Sequence, residues 1–216
     1  MESSTIVIPQ KVRFVMGAEW VFRHWLLIWL VLFTIYNILP YLAPVLMQFG
    51  IEPLAKGIYS LYGLVGHQMA NRSFFLFGGQ VTYSIEELPL NLIGEFLPDS
   101  TVLSDFIGNE FLGWKLAWSD RLVSMYSSAL ITTYVYIALH KRPDFRSMSR
   151  NLMILLITPL ILDGVTHYIS DLDSVIDGFR WDNSWFASLT FNAFPESFYV
   201  GDNWGSFNSI LRLISG

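Results

Sequence analysis

The sequence predicts an all-α membrane protein with about four transmembrane helices, a short interfacial or re-entrant helix, and folded outer loops. Of the 216 residues, 53% are hydrophobic and 14% are charged, and the mean hydropathy is +0.44. Soluble domains carry about 25% charged residues. No Asp, Glu, Lys or Arg occurs from Trp25 to Ile51, which is longer than the roughly 20 residues that a membrane crossing needs.

The apolar helices follow from the uncharged runs along the chain. Pro40 and Pro44 kink the first helix, which neighbouring helices can tolerate. The third helix reaches spanning length only by continuing through Asp163. The fourth, "SFNSILRLISG", covers barely half of a bilayer at about 1.5 Å per residue. Truncation of the natural chain is favoured there over a half-length helix. The predicted ranges are 25–48, 114–139, 150–169 and 206–216.

The distribution of charge orients these helices. The connection 140–150 carries four bases and one acid, and the N-terminal segment 1–24 carries three bases and two acids. Basic loops face the cytoplasm, so both are predicted to lie there. Residues 49–113 carry seven acids and two bases, and residues 170–205 carry six acids and one base. Both are predicted to be extracytoplasmic loops of a single membrane domain, 1–216.

Residues 53–66, "PLAKGIYSLYGLVG", are too short to span and are predicted to form the interfacial or re-entrant helix. This helix delivers a polar stretch, "HQMANRS", to the outer boundary. Ionisable residues from the later helices fall at a similar depth, and Asp163 and His167 share a helix face at a spacing of four residues. The predicted polar cluster contains His67, Gln68, Arg72, Arg121, Asp163, His167 and Arg212.

Charged side chains inside a membrane are costly and usually pair in the bundle interior. We therefore expect Asp163 to pair with Arg121 or Arg212. Two interpretations of the cluster stay open, an Arg–Asp network that only packs helices and a site that binds or transforms a ligand.

Several chemistries find no support in the sequence. The chain contains no cysteine, which excludes disulfides and thiolate metal sites, and it has no phosphate loop, His-Glu-x-x-His or Gly-x-Ser-x-Gly motif. The acidic stretch 171–182, "DLDSVIDGFRWD", departs from the spacing of a calcium-binding EF-hand. It is predicted to be a solvated loop. Neither a metal nor a cofactor is predicted, although the fold leaves room for a bound lipid or pigment.

Four sequence blocks resemble those of a known family in the same order. "HQMANRSFFLFG" resembles a Cys-His-Gln, four residues, Arg-Ser signature, and "AWSDRLVSMYSS" a Cys-x-Arg block. "PLILDGVTHYI" resembles a Pro-x-x-x-Asp-Gly-x-Thr-Gln block, and "NSILRLISG" an Asn-x-x-Arg-x-x-Ser/Thr-Gly block. Residues 25–216 thus resemble domain of unknown function 2085, a family of prokaryotic membrane proteins.

The resemblance implies a fold, a site location and a prokaryotic cell membrane, but no reaction. Gly66, Ser119 and His167 stand where the family has Cys, Cys and Gln. Any chemistry that the family performs through those thiols is expected to be lost here.

The favoured function is a non-catalytic accessory or structural subunit of a larger membrane complex, with lipids and other membrane subunits as partners and no nucleic acid. The alternative is a small membrane enzyme or a lipid- or anion-binding protein. In that case Arg72, Arg121 and Arg212 hold an anionic headgroup, and His67 or His167 acts as the acid or base. Solute transport is less favoured, because no inverted repeat is visible.

Overall fold

The computed structural model describes residues 10–66, 68–89, 100–172 and 174–216, and only the backbone of residues 10–18. The described chain is mostly helical, as predicted, but it also contains a small antiparallel sheet. It divides into two compact units, Met1–Tyr36 and Asn37–Gly216. The helices are α1 (Gln10–Gln48), α2 (Glu52–Gly63), α3 (Ser100–Asp105), α4 (Asp120–Leu139), α5 (Arg150–Ser170), α6 (Phe179–Asp182), α7 (Ser184–Leu189), α8 (Glu196–Tyr199) and α9 (Phe207–Ser215).

Within the described ranges, three helical segments are long and apolar enough to cross a membrane. They are Glu19–Gln48 in α1, Asp120–Leu139 and Arg150–Ser170. The predicted fourth span is α9, whose nine residues extend over about 13 Å. Among the described residues, three helices therefore reach spanning length, and α9 has the short length that the sequence predicted for 206–216.

Helix α1 begins well before residue 25, where the sequence predicted its start, and it includes residues 10–24. Glu19 and Arg23 pair at 2.9 Å, and the rings of Trp20 and His24 stack with 4.6 Å between their centroids. Both pairs are four residues apart, so they lie on one helix face and stabilise the helix locally.

The predicted helix over 114–139 is wrong in its first turns, which form a strand. Three strands, β1 (Ser73–Leu76), β2 (Gly108–Asn109) and β3 (Gly113–Ser119), pair antiparallel in the order β1-β3-β2. Gly113 has a φ of +77°, and a Cβ at this position would overlap the backbone of Leu76. A glycine at this position lets the two backbones approach closely, and hydrogen bonds on both sides of β3 hold it extended.

An aromatic cluster joins this sheet to the neighbouring helices. Trp118 is fully buried in β3, stacks on Tyr126 of α4 at 4.9 Å between centroids, and meets Tyr62 of α2 edge-on at 5.7 Å. Helix α2 fulfils the prediction of a short helix over 53–66, and it buries Ala55, Tyr59 and Tyr62 on one face. These contacts place the polar turn that follows α2 beside the N-terminus of α4.

Three short helices, α6 to α8, fold the acidic stretch between α5 and α9. Asn183 lies between α6 and α7 in a left-handed conformation, and its Nδ2 donates to the carbonyl oxygens of Arg180 and Tyr199, each at 2.8 Å. The ring of Phe186 stacks on Phe207 of α9 at 4.2 Å between centroids. This segment is consequently anchored on α9.

Helix α9 carries a polar face toward α4 and α5. The buried residues of this face are Asn208, Ser209, Arg212 and Ser215. The hydroxyl of Ser124 in α4 donates to the carbonyl oxygen of Arg212 at 3.4 Å. Helix α9 thereby brings an arginine to the start of α4.

Candidate functional site

Four arginines and four aspartates from six parts of the fold form one buried cluster, hereafter the Arg–Asp network. They come from the turn before β1, the start of α4, helix α5 and its C-terminal end, helix α6, the turn before α9, and α9. Its members are Arg72, Asp120, Arg121, Asp163, Asp171, Arg180, Asp202 and Arg212.

Asp202 lies at the centre of one half of the network. Its side chain, 2% exposed, accepts from Arg72 Nε at 2.8 Å and from Arg212 Nη1 at 2.5 Å. Asn71 Nδ2 donates to the same carboxylate at 3.2 Å. Burial alone would raise the pKa of Asp202, but Arg72 and Arg212 outweigh burial and hold this pKa well below its usual range. The carboxylate is therefore charged.

Arg212 connects Asp202 to the start of α4. Its Nε lies 2.9 Å from each carboxylate oxygen of Asp120, and its Nη2 donates to the Asp202 carbonyl oxygen at 2.9 Å. All three nitrogens of this guanidinium are used, which fixes its position.

Arg72 connects Asp202 to the C-terminal end of α5. Its two terminal nitrogens engage the oxygens of Asp171 at 2.6 and 2.9 Å, in addition to the bond from Nε to Asp202. Burial disfavours the cation, yet Asp202 and Asp171 hold the pKa of Arg72 above its usual range. This arginine is also fully engaged.

Asp163 is the centre of the other half. Its side chain, 1% exposed, accepts from Arg121 Nη2 at 2.8 Å, from Arg180 Nη2 at 3.0 Å and from the Ser215 hydroxyl at 3.1 Å. The expected pair between Asp163 and Arg121 is confirmed. Arg212 pairs with Asp120 and Asp202 instead.

His167 lies between the two halves. Its Nδ1 is 3.2 Å from Asp163 Oδ1 and 3.3 Å from Arg121 Nη2, and its Nε2 is 4.0 Å from Asp202 Oδ1. Nε2 is buried and has no hydrogen-bond partner within the described part of the chain. The imidazole thus contacts the Asp163 carboxylate and lies near that of Asp202 without a hydrogen bond to it.

Five residues of the predicted cluster meet in or beside this network: Arg72, Arg121, Asp163, His167 and Arg212. His67 lies outside the described residues. Gln68 is buried elsewhere, where its Nε2 donates to the Tyr59 carbonyl oxygen at 3.1 Å. Its membership in the cluster is not supported by these contacts.

The sequence-based cluster missed Asp120, Asp171, Arg180 and Asp202. The interpretation of 171–182 as a solvated loop is wrong for Asp171 and Arg180, because both are held in the network, whereas Asp177 and Asp182 are exposed. One signal was available, since Arg180 is the only base within the acidic stretch 170–205. A lone cation among many acids is a candidate for pairing.

A second buried polar group surrounds Lys115 of β3. Its Nζ donates to the carbonyl oxygens of Gln68 at 2.5 Å and Ser104 at 2.6 Å. Burial lowers the pKa of Lys115 to about 7, and the negative charge of Asp105 opposes part of this shift. A neutral amine keeps two N–H donors, so both contacts survive loss of the proton.

We expect this lysine to make stability increase with pH. Between about pH 7 and the ordinary lysine pKa of about 10.4, the unfolded chain binds one proton more than the folded chain. The stabilisation is complete above the ordinary pKa and is lost as the pH falls toward 7. The thermal midpoints of wild-type protein and Lys115→Met, measured at pH 7 and pH 9.5, test this. The difference between the two proteins should change with pH, and a constant difference would contradict the shifted pKa.

A cavity of about 450 Å³ borders the Arg–Asp network. Leu122 and Tyr168 line its apolar side, and Gly66 and Gly164 border it with backbone alone. The polar side is lined by both signs of charge and by one imidazole: Arg72, Asp120, Arg121, His167, Asp171 and Arg212. Of the described residues, no set of three or more His, Asp or Glu is arranged to hold a metal ion.

Comparisons with known proteins give one distant relative. An uncharacterised protein of the archaeon Methanocaldococcus jannaschii is 24% identical over 152 residues, which cover 68% of this chain and 75% of that protein. No family model and no solved structure matches the chain. The relative's description carries no activity, so the functional argument rests on the geometry of the site.

Proposed function

We propose that the chain is an integral, multi-pass protein of a prokaryotic cell membrane. In this proposal it serves as a non-catalytic accessory or structural subunit of a larger membrane complex. The resemblance to domain of unknown function 2085 supports the prokaryotic setting, and membership in that family is part of the proposal. The three helices of spanning length support the membrane location.

The surface of α4 carries the argument for a protein partner. No residue in the apolar stretch of this helix is buried. Ser124, Ser128 and Thr132 follow one another at a spacing of four residues and therefore lie on one face. The first two contact α9 through the Arg212 and Gly216 carbonyl oxygens, at 3.4 Å each, whereas Thr132 is exposed. Faces of small and hydroxyl residues are typical of helix–helix contacts inside membranes. A helix of another subunit is the occupant that suits this face.

The Arg–Asp network supports a structural role. Its four cations and four anions balance in number, and most of their hydrogen-bonding atoms engage one another. A site that transforms a charged substrate usually keeps unpaired charges for it. Here the charges fasten α6, α9 and the turn before β1 onto α4 and α5.

Native mass measurement after extraction in mild detergent tests the subunit proposal. We expect the chain to leave its native membrane in an assembly with other polypeptides. Thr132→Leu, which changes the exposed end of the hydroxyl face, should release the chain from that assembly. Ser188→Ala, in α7, is the matched control and should leave the assembly intact. A monodisperse, lone monomer in the mildest extraction would rule the proposal out.

The topology that accompanies this proposal places the N-terminus and residues 140–150 in the cytoplasm. An impermeant thiol reagent applied to intact cells should label Ser188→Cys and leave Ser147→Cys unlabelled. The chain has no cysteine of its own, so each variant reports on a single site. The opposite labelling pattern would overturn the orientation derived from the charges.

A further inference from the structure

The four arginines of the network differ in how far their hydrogen-bonding capacity is used. Arg72 and Arg212 employ all three guanidinium nitrogens, and Arg180 employs two. Arg121 donates to its neighbours only through Nη2 among the described contacts, and its Nε is buried without a partner. Leaving a charged donor buried and unsatisfied costs free energy. Arg180 Nε is also buried without a partner, but Arg121, with one engaged nitrogen among the described contacts, is the least satisfied of the four arginines.

The charge around Arg121 is also incomplete. The network as a whole is neutral, but Asp163 is shared by Arg121 and Arg180, so Arg121 has no carboxylate to itself, whereas Arg72 and Arg212 each bind two aspartates. With its side chain 21% exposed, Arg121 is the most accessible arginine of the network, and it lines the cavity of about 450 Å³. An anion placed in this cavity would give Arg121 a second partner, while Asp120 and Asp171, which also line the cavity, are already bound by Arg212 and Arg72.

The same cavity meets the N-terminal end of α4. Ser119, the residue before this helix, lines the cavity, and its hydroxyl makes no capping hydrogen bond to the first turn. Helix N-termini favour anions through their N–H groups and the helix dipole, and here the Asp120 carboxylate already accepts from Arg121 N at 2.7 Å. A buried imidazole with an unpartnered Nε2, that of His167, also belongs to the cavity wall. Polar residues from the start of α4 and from α5 thus border one space.

The cavity wall also contains an apolar side. Tyr168 and Leu172 line it, and both are more than half exposed. A ligand that carries an anionic group on an apolar body fits such a site, and the volume lies within the usual range of small-molecule sites, about 300–1,000 Å³.

We propose that this cavity binds a phosphate group carrying one negative charge, held by the guanidinium of Arg121 beside the start of α4. Two sources share this chemistry, the phosphodiester of an anionic lipid and a free phosphate. The site occupies a cavity inside the chain, so it does not depend on a partner subunit.

Two substitutions distinguish an effect on phosphate binding from an effect on the stability of the fold. Arg121→Gln removes the cation that would meet the phosphate. Gly164→Ala keeps every ion pair and places a methyl group 3.8 Å from Arg121 Nη1, which narrows the approach to the guanidinium without a clash. Arg142→Gln, an exposed arginine in the 140–150 connection, is the matched control.

The experiment uses the purified, delipidated chain in detergent and measures binding by native mass measurement and by the rise of the thermal midpoint. The probes are phosphatidylglycerol, diacylglycerol of the same acyl chains, and inorganic phosphate. We expect phosphatidylglycerol to bind and diacylglycerol to bind at least about tenfold more weakly, as loss of a charged hydrogen bond predicts. Arg121→Gln and Gly164→Ala should both weaken binding, and Arg142→Gln should not.

Each outcome decides the proposal. If only phosphatidylglycerol binds, the ligand is a lipid, and if inorganic phosphate binds, the ligand is a free phosphate. In both cases the Gly164→Ala variant should bind that probe more weakly than the wild-type protein. Equal binding of diacylglycerol, or binding unchanged in the folded Gly164→Ala variant, would overturn the site. Failure of all three probes would also overturn it. None of these results bears on whether the chain belongs to a larger assembly, which the native extraction tests by itself.

Discussion

Asp202→Asn is expected to destabilise the protein by about 3–5 kcal/mol, because breaking a buried ion pair leaves an uncompensated charge. Asp202 accepts from both Arg72 and Arg212, and an amide offers neither of them a negative charge. The lowered pKa of Asp202 means that its contribution is present above the ordinary aspartate pKa and is lost only as the pH falls through the much lower folded value.

The matched control for Asp202→Asn is Asp177→Asn, which changes an exposed aspartate of the same acidic stretch. Thermal unfolding in detergent, followed by tryptophan fluorescence, compares the two variants. The midpoint of Asp202→Asn should fall by many degrees while that of Asp177→Asn stays close to wild type. Coincident midpoints would show that the Asp202 contacts contribute nothing to stability.

Asp163→Ala is expected to cost a similar free energy, about 3–5 kcal/mol. This carboxylate receives hydrogen bonds from Arg121, Arg180 and Ser215, and its removal leaves two arginines facing each other. Asp171→Ala should cost less, because Asp171 is 19% exposed and pairs with a single arginine, Arg72. Arg72 also keeps Asp202.

The comparison of Asp163→Ala with Asp171→Ala measures how much more the buried ion pairs of Asp163 stabilise the fold than the partly exposed pair of Asp171 with Arg72. Unfolding midpoints in the same detergent rank the variants. Ser215→Ala measures the smaller contribution of the hydrogen bond from the Ser215 hydroxyl to Asp163. If Asp163→Ala unfolds no earlier than Asp171→Ala, the buried pair does not contribute more than the partly exposed one.

The sequence predicted the long helices because their signals are local. The uncharged runs lie within the helices that they indicate, and α5 matches its prediction to within one residue. The strand over Gly113–Ser119 could not be predicted in this way. Its hydrogen bonds go to β1, about forty residues earlier in the chain, and no local period reports such a partner.

The candidate site was also predictable only where its signals are local in the sequence. The spacing of Asp163 and His167 places both on one helix face, which a sequence shows directly. The partners of Arg212 could not be predicted from the sequence. Arg212 binds two carboxylates, Asp120 and Asp202, and neither lies three or four residues away from it on the same helix. Asp202 lies in an irregular turn, where no periodicity separates a buried carboxylate from a solvated one.

The sequence separations within the Arg–Asp network have a consequence for biosynthesis. Asp120 is joined to Arg212, 92 residues later, and Arg72 to Asp202, 130 residues later. Closing such long loops carries an entropic cost that local helix formation does not. A nascent chain that has not yet released α9 from the ribosome therefore holds Asp120 without its arginine. Docking of α9 accordingly cannot precede synthesis of the whole stretch from Asp120 to Arg212, and until then the start of α4 carries a carboxylate without its arginine.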